Sequence, residues 1–489
     1  MVEHREGGAR RGDGHRTSSP APRNRRAQRP SAKAWHQVQP ARRVAFAVLR
    51  AVQDSDAYAN LLLPRELERA GLSGGDAALA TELTYGTLRR LGTYDAVIAL
   101  AADRDPATVD APVLDALRLG VHQLLATRVA SHAAVNESVE LAREKAGAGA
   151  AGFANAVLRR VARENPGDWL TRIADTARSD DERIGLESSH PVWIVRALRR
   201  ALAAEGRADE LDDLLDAHNV SPRVTMAALP GLAETDGTRT PYSPVGFRLR
   251  AGDPEPLVRA SGGTVRVQDE GSQLVALALT RLAPVEPGER WLDLCAGPGG
   301  KTALLAAEAL AHGAHLDANE LVPARAGLVR KAIAPIPLQV DVSEADGREL
   351  AAERAGTYDR VLVDAPCTGL GALRRRPEAR WRKQPSDVAD LAVVQAGLLR
   401  AAFAALKPGG TVAYVTCSPH LAETSAIVAQ VREELGDAVE ELDARAVLRR
   451  VSRGAIDLPT PASGAGSAQL WPHRHGTDAM FLALLRKTR

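Results

Sequence analysis

Four short apolar runs in the C-terminal half constrain this chain more than any other feature. They are WLDLC (291–295), PLQVDV (337–342), RVLVDAP (360–366) and TVAYVTC (411–417). Their apolar character suits strands buried inside a sheet. Between them lie amphipathic segments such as ELVPARAGLVRKAI and DLAVVQAGLLRAAFAAL. Strand and helix in alternation predict a mostly parallel, doubly wound sheet over residues 261–489.

The region before it reads differently. Val44, Val48, Leu49 and Val52 recur at helical spacing, as do Val135, Val139 and Ala142. No sustained two-residue alternation interrupts residues 41–165, which predicts an all-α domain there. Residues 166–260 read as a small α/β connector, with LDDLLDAHN helical and SPRVTMAALP and VGFRLRAG as short strands.

Charge is uneven. Residues 1–43 carry eleven Lys or Arg against three acids, a net of +8, although the whole chain is only +2. A basic arm over residues 1–40, containing Gly, Pro and Ser, is expected to be disordered. It is either a phosphate-binding tail or simply solvated. Three cysteines, at 295, 367 and 417, make neither a disulfide framework nor a zinc ribbon. No run approaches 18 unbroken apolar residues, and the basic N-terminus lacks an apolar core like that of a secretory signal. The expectation is a cytoplasmic protein with no membrane partner.

The loop after the first strand reads CAGPGGKT, with Gly297, Gly299 and Gly300 ahead of a helix. Such glycines allow a sharp turn and close backbone approach to a ligand. A nucleotide P-loop requires glycine where Cys295 stands, and the dinucleotide pattern GxGxxG lacks its last glycine. A nucleoside without pyrophosphate fits better, such as S-adenosylmethionine; a plain strand–helix turn is the bland alternative. Glu320 follows Gly300 by twenty residues, where a Rossmann-like fold holds ribose hydroxyls.

Cys367, in DAPCTG, and Cys417, in YVTCSP, each lie just past the end of a predicted parallel strand. Open α/β sheets bind ligands along that edge. A single thiol there would be read as a small buried hydrophobe. Two thiols on one edge beside a nucleoside loop suggest covalent catalysis.

LDLCAGPGGKT, DAPCTGLGALRRRPEARW and YVTCSP together resemble the RNA cytosine-5 methyltransferases. AVNESVELAREK and FANAVLRRV resemble the NusB-like RNA-binding domain. The pairing is similar to the bacterial 16S rRNA methyltransferases of the RsmB/Sun type, over about residues 41–489. The resemblance implies Cys417 as the nucleophile on cytosine C6, Cys367 as the residue that aids release, and Asp364 near the base, the cofactor or both. It implies that Cys295, Ala296, Gly297, Pro298, Gly299, Gly300 and Lys301 form the S-adenosylmethionine loop. Glu320 would then hold the ribose and Asp341 lie near the adenine. Two departures from the family pattern stand out. Gly297 replaces an alanine, and Glu423-Thr424 occupy the place of Glu-Asn.

Arg374, Arg375, Arg376, Arg380, Arg382 and Lys383 cluster with Trp381 directly after the DAPC loop. Their position suggests RNA contact, through phosphates for Arg374, Arg375 and Arg376 and through base stacking for Trp381. The expected partner is RNA, 16S rRNA first, with no metal and a monomeric state. Two alternatives stay open at this point: an RNA-binding or antitermination factor with an inert C-terminal domain, and the same chemistry on another RNA such as tRNA.

Overall fold

The computed structural model describes residues 38–489, apart from residues 56, 235–236, 251 and 462–463. The basic arm expected over 1–40 therefore falls outside the described residues up to position 37.

Helices Pro40–Asp54, Ala59–Arg69, Gly74–Arg89, Leu91–Ala102, Ala111–Ala126 and Ser131–Val161 open the chain. Their apolar stripes face one core containing Val44, Val48, Leu49, Leu83, Leu117 and Leu158. The last of these helices is interrupted at Gly147, whose φ is 85°. Helix Pro166–Ala174 adds Trp169 and Ile173 to the same core, with the indole N–H donating to Val161 O at 3.0 Å. The helical core thus extends into what the sequence suggests is connector. Asp and Gly around Trp169 hide its apolar face from a periodicity reading.

Three more helices, Asp180–Ser188, Val192–Ala204 and Leu211–Asn219, precede a four-stranded antiparallel sheet. Its strands are β1 (Thr225–Ala228), β2 (Thr238–Arg239), β3 (Gly246–Arg248) and β4 (Val265–Val267), in the order β2-β3-β1-β4. β4 runs straight into helix Glu270–Thr280, capped by Asp269.

The large sheet comprises β5 (Arg290–Asp293), β6 (His315–Asn319), β7 (Val340–Ser343), β8 (Tyr358–Asp364), β9 (Leu406–Thr416), β10 (Val439–Leu442), β11 (Ala468–Gln469) and β12 (Phe481–Lys487). The order is β10-β12-β9-β8-β5-β6-β7, with β11 also on β12. β7-β6-β5-β8-β9 are parallel, and β12 is inserted antiparallel between β9 and β10. Val361, Leu362, Val363 and Val412 to Val415 are fully buried, as continuous apolar runs require. Helix Pro385–Ala405 has the length and composition to cross a membrane. Here it lies along β8 and β9, with Ala396, Leu399, Ala402 and Phe403 buried in the sheet's core.

Candidate active site at the carboxyl edge of the sheet

From β5 the chain passes outward to β6 and β7, then returns to the other side of β5 as β8. Between β5 and β8 the connections part in opposite directions, which opens a crevice at the carboxyl ends of the strands. The loops after β5, β8 and β9 all meet there, so topology gathers segments that are far apart in sequence.

The loop after β5 is held from several sides. Ala296 N–H donates to Asn319 O at 2.8 Å, and Gly297 N–H donates to Glu320 Oε2 at 2.9 Å. Glu320 is 4% exposed and also accepts from Val322 N–H at 3.0 Å. Arg325 closes the arrangement, with Nη2 2.7 Å from Gly297 O and 3.4 Å from Glu320 Oε2. A Cβ on Gly297 would lie 2.1 Å from the Glu320 carboxylate, so the glycine at this position is what admits Glu320. Gly299, at φ 101°, turns the chain into helix Gly300–His312, while Pro298 is exposed.

Lys301, at the start of that helix, donates to Asp364 Oδ2 at 2.7 Å. Burial works against the ammonium, but Asp364 outweighs it and raises the Lys301 pKa. Beneath them Asp293 accepts from Thr302 Oγ1 at 2.7 Å, while its other oxygen is buried without a partner. Burial pushes the Asp293 carboxyl up to about 7. Burial, reinforced by Asp293, Asp364 and Glu320, likewise pushes the Cys295 thiol well up, so Cys295 stays protonated.

The other two cysteines come together. Cys367 Sγ and Cys417 Sγ are 3.4 Å apart. The hydrogen bond from Cys367 draws the Cys417 pKa below its ordinary value, helped by the positive charges of Lys301 and Arg376 against burial and Asp364. The same bond, burial and the carboxylates of Glu423 and Asp364 push Cys367 well up. The pair is therefore polarised, with Cys417 as incipient thiolate and Cys367 as thiol donor.

Glu423 ties the two cysteine loops together. Its buried carboxylate accepts from Thr368 N–H at 2.7 Å, from Thr368 Oγ1 and from Ser418 Oγ at 2.6 Å. Gln395 donates both to it and to Pro366 O. Thr368 and Ser418 directly follow the two cysteines, so one carboxylate sets both loops at once.

Asp341 does not reach the crevice. It is the second residue of β7, 69% exposed, with Arg354 3.5 Å away. Just beyond the end of β7 Glu344 pairs with Arg330, and the next carboxylate is Asp346, N-cap of helix Gly347–Glu353. Its neighbour Gly347 packs on Leu294, and Asn319 bridges Leu294 O to the Ala345 backbone. The sequence reading named only the strand carboxylate and missed Asp346, although DG before a helix is a visible signal.

The basic cluster is largely spoken for. Arg374, 6% exposed, places Nε 3.1 Å from Asp478 and Nη2 3.2 Å from Asp269. Arg375 makes the same two pairings. Both are neutralised inside the protein, which corrects the expectation that they face phosphate. Arg380 is fully buried and donates to Arg89 O, Ser189 O, Asn219 Oδ1 and His218 O. Trp381, 37% exposed, lies against Gly92 of the helical domain instead of standing free as a stacking platform. Arg376 is exposed, with its guanidinium 5.6 Å from the ring centroid of Tyr58.

Residues 279–486 match the family model for 16S rRNA methyltransferase RsmB/F, and residues 39–163 match that of the NusB family. Ribosomal RNA small subunit methyltransferase B of Erwinia tasmaniensis is 31% identical over 430 residues, covering 84% of this chain and 91% of that protein. A protein of Mycobacterium tuberculosis named as a methyltransferase, Rv1407, is 49% identical over 459 residues, covering 92% and 97%. In fold, the crystal structure of PH0851 matches with a TM-score of 0.74 at 21% identity, over 92% of this chain and all of that one. With both regions matched and the relatives covered nearly end to end, the chain belongs to the RsmB/F family of rRNA methyltransferases, carrying a NusB-family helical region ahead of the methyltransferase fold.

Proposed function

We propose that this protein methylates C5 of a cytosine in RNA, 16S rRNA first, using S-adenosylmethionine. The single observation that carries the reading is the polarised thiol pair beside the Lys301–Asp364 ion pair. Cytosine C5 is a poor nucleophile. Attack of the Cys417 thiolate on C6 forms an S–C6 bond and moves the ring electrons toward C5 and N3. Asp364 lies where it can meet the base edge, and Lys301 fixes its position through a 2.7 Å hydrogen bond. Once C5 carries its methyl group, the C5 proton leaves to water, the C–H electron pair re-forms the C5–C6 double bond, and the S–C6 bond breaks to release the Cys417 thiolate. Cys367, kept as a thiol, supports that departure by donating its hydrogen bond back to Cys417.

The residues around the β5 loop suit a nucleoside. Glu320 has accepting capacity left on both oxygens for ribose hydroxyls, and helix Gly300–His312 turns its free N–H groups toward the crevice. Leu321 and Val322, 61% and 43% exposed, offer apolar surface directly after Glu320. Asp346, in place of Asp341, is the acceptor assigned to the adenine side. When bound, S-adenosylmethionine supplies an electrophilic methyl group to this crevice.

Denaturing electrophoresis after incubation with radiolabelled methyl donor and small-subunit rRNA tests the roles. Cys367→Ala should accumulate a slow, labelled protein–RNA band, whereas Cys417→Ala and the double variant should show none. A band with Cys417→Ala alone would reverse the two roles. No band in any variant, together with no labelled RNA from the wild type, would end the cytosine-5 reading.

A further inference from the structure

At one end of the small antiparallel sheet three arginines stand together. In β1 and β3 the register pairs Thr225 with Arg248, and Leu249 N–H donates to Val224 O. Continuing that register sets Arg223 opposite Arg250. Side chains alternate between faces along a strand, so Arg223, Arg248 and Arg250 share one face, with Thr238 of β2 beside Arg248. These residues line one cleft of about 600 Å³, together with Pro222, Val224, Leu249 and Gly252.

Among the described residues, none of the three guanidinium groups has a carboxylate partner within salt-bridge distance. This contrasts with Arg374 and Arg375, which share two buried aspartates. Like charges opposite one another across strands destabilise a sheet. A concave surface with that charge, unpaired among the described residues, suits an anion with several phosphates.

The same face leads to the crevice. Two residues further along it, the row of Ala227, Gly246 and Arg266 packs against the C-terminal domain, where Arg266 Nη2 donates to Ala332 O at 2.7 Å. Gln268 N–H, next in line, donates to Thr225 O, and its side chain lies close to Gly300 of the β5 loop. One sheet therefore joins the arginine cleft to the edge where the thiols lie.

We propose that this cleft binds backbone phosphates of the RNA substrate, holding a stretch that flanks the target nucleotide. The inference rests on the RNA methyltransferase reading and adds a substrate-positioning site outside the chemistry. The test uses the full chain with Arg223, Arg248 and Arg250 all changed to Gln, and a second variant with all three changed to Lys. RNA binding is measured against salt with a small-subunit rRNA transcript, and methyl transfer is followed in parallel. Each lost phosphate contact lowers the slope of log affinity against log salt by ~0.7–0.9. The Gln variant should therefore lose ~2 in slope and raise KM tenfold or more at unchanged kcat, while the Lys variant keeps the slope. Unchanged S-adenosylmethionine binding by calorimetry shows that the Gln variant is folded. A wild-type slope and KM in a folded Gln variant overturns the proposal. A wild-type protein that binds the transcript but methylates no cytosine instead overturns the reading beneath it, and the slope still reports on the cleft.

Discussion

At the residue scale the crevice runs on displaced proton affinities, and their signs are testable. Cys417 ionises below the ordinary thiol range, so kcat/KM should rise with pH on a limb set by that thiolate. Lys301→Met removes a positive charge that favours the thiolate and should move the limb to higher pH. Each pH unit of displacement costs about tenfold in thiolate near neutrality. Arg376→Gln should move it the same way by less, and a limb indifferent to both would show that Cys417 is not the group titrating. Asp293 gives a stability signature instead. Its carboxyl takes up a proton more readily folded, near pH 7, than unfolded, near pH 4. Folding stability from this group is therefore present at low pH and lost as pH rises from about 4 to 7. Asp293→Asn should flatten that fall in thermal midpoint, and a wild-type slope in the variant would refute the assignment. The positions of Cys367, Cys417 and Glu320 at the carboxyl edge were legible because each sits just past a strand end. Asp341 misled because a strand carboxylate and a cap carboxylate five residues later look alike until the edge of the sheet is known. Glu423 was noticed only as half of an altered motif, since its partners Thr368 and Gln395 are remote in sequence.

At the scale of elements the decisive joint is the short segment after the DAPC loop. Helix Ala379–Arg382 drives Arg380 between the helical domain and the helices that follow it, where its partners are three backbone carbonyls and one amide oxygen. Burial brings its pKa down to about 9. Beside it, Trp381 covers Gly92 so closely that a Cβ there would lie 2.2 Å from the indole. Helix propensity predicts that Gly92→Ala stabilises by ~0.5–1 kcal/mol, whereas overpacking costs ~1–3 kcal/mol. The clash should win and Tm should fall. Combining it with Trp381→Leu should recover part of the loss, and a raised Tm in Gly92→Ala alone would mean that the indole moves aside freely. A run of arginines beside a proposed substrate site suggests phosphate when read as sequence. Arg374 and Arg375 are instead structural, because carboxylates at Asp269 and Asp478 reach them from over a hundred residues away.

At the scale of the molecule the helices Val192–Ala204 and Leu211–Asn219, which follow the helical region, share a core with the α/β domain. Ile194, Leu198, Leu202, Leu214 and Leu215 pack with Leu370, Leu373, Trp471 and Ala479. Residues 38–489 should therefore unfold in one calorimetric transition, with agreement between calorimetric and van't Hoff enthalpies. Two resolved transitions would show that the Arg380 joint and this shared core are weaker than their burial implies. The alternation of strands and helices made the parallel sheet readable in advance. The antiparallel β12 was not, because FLALLRK is short, opens with five unbroken apolar residues and has no helix leading directly into it.

That last strand also has a consequence in time. Ribosomes deliver a chain from its N-terminus, and Phe481 pairs with Thr416, the residue just before Cys417. Until synthesis passes Phe481, β9 has β8 on one side and an open apolar edge on the other, a state prone to wrong pairing. Gly371, in the loop after Cys367, waits on the same event, because it exchanges backbone hydrogen bonds with both Cys417 and Ala479. The two thiols are thus brought into register only near the end of translation, so a nascent or truncated polypeptide carries both cysteines without the reactive pair.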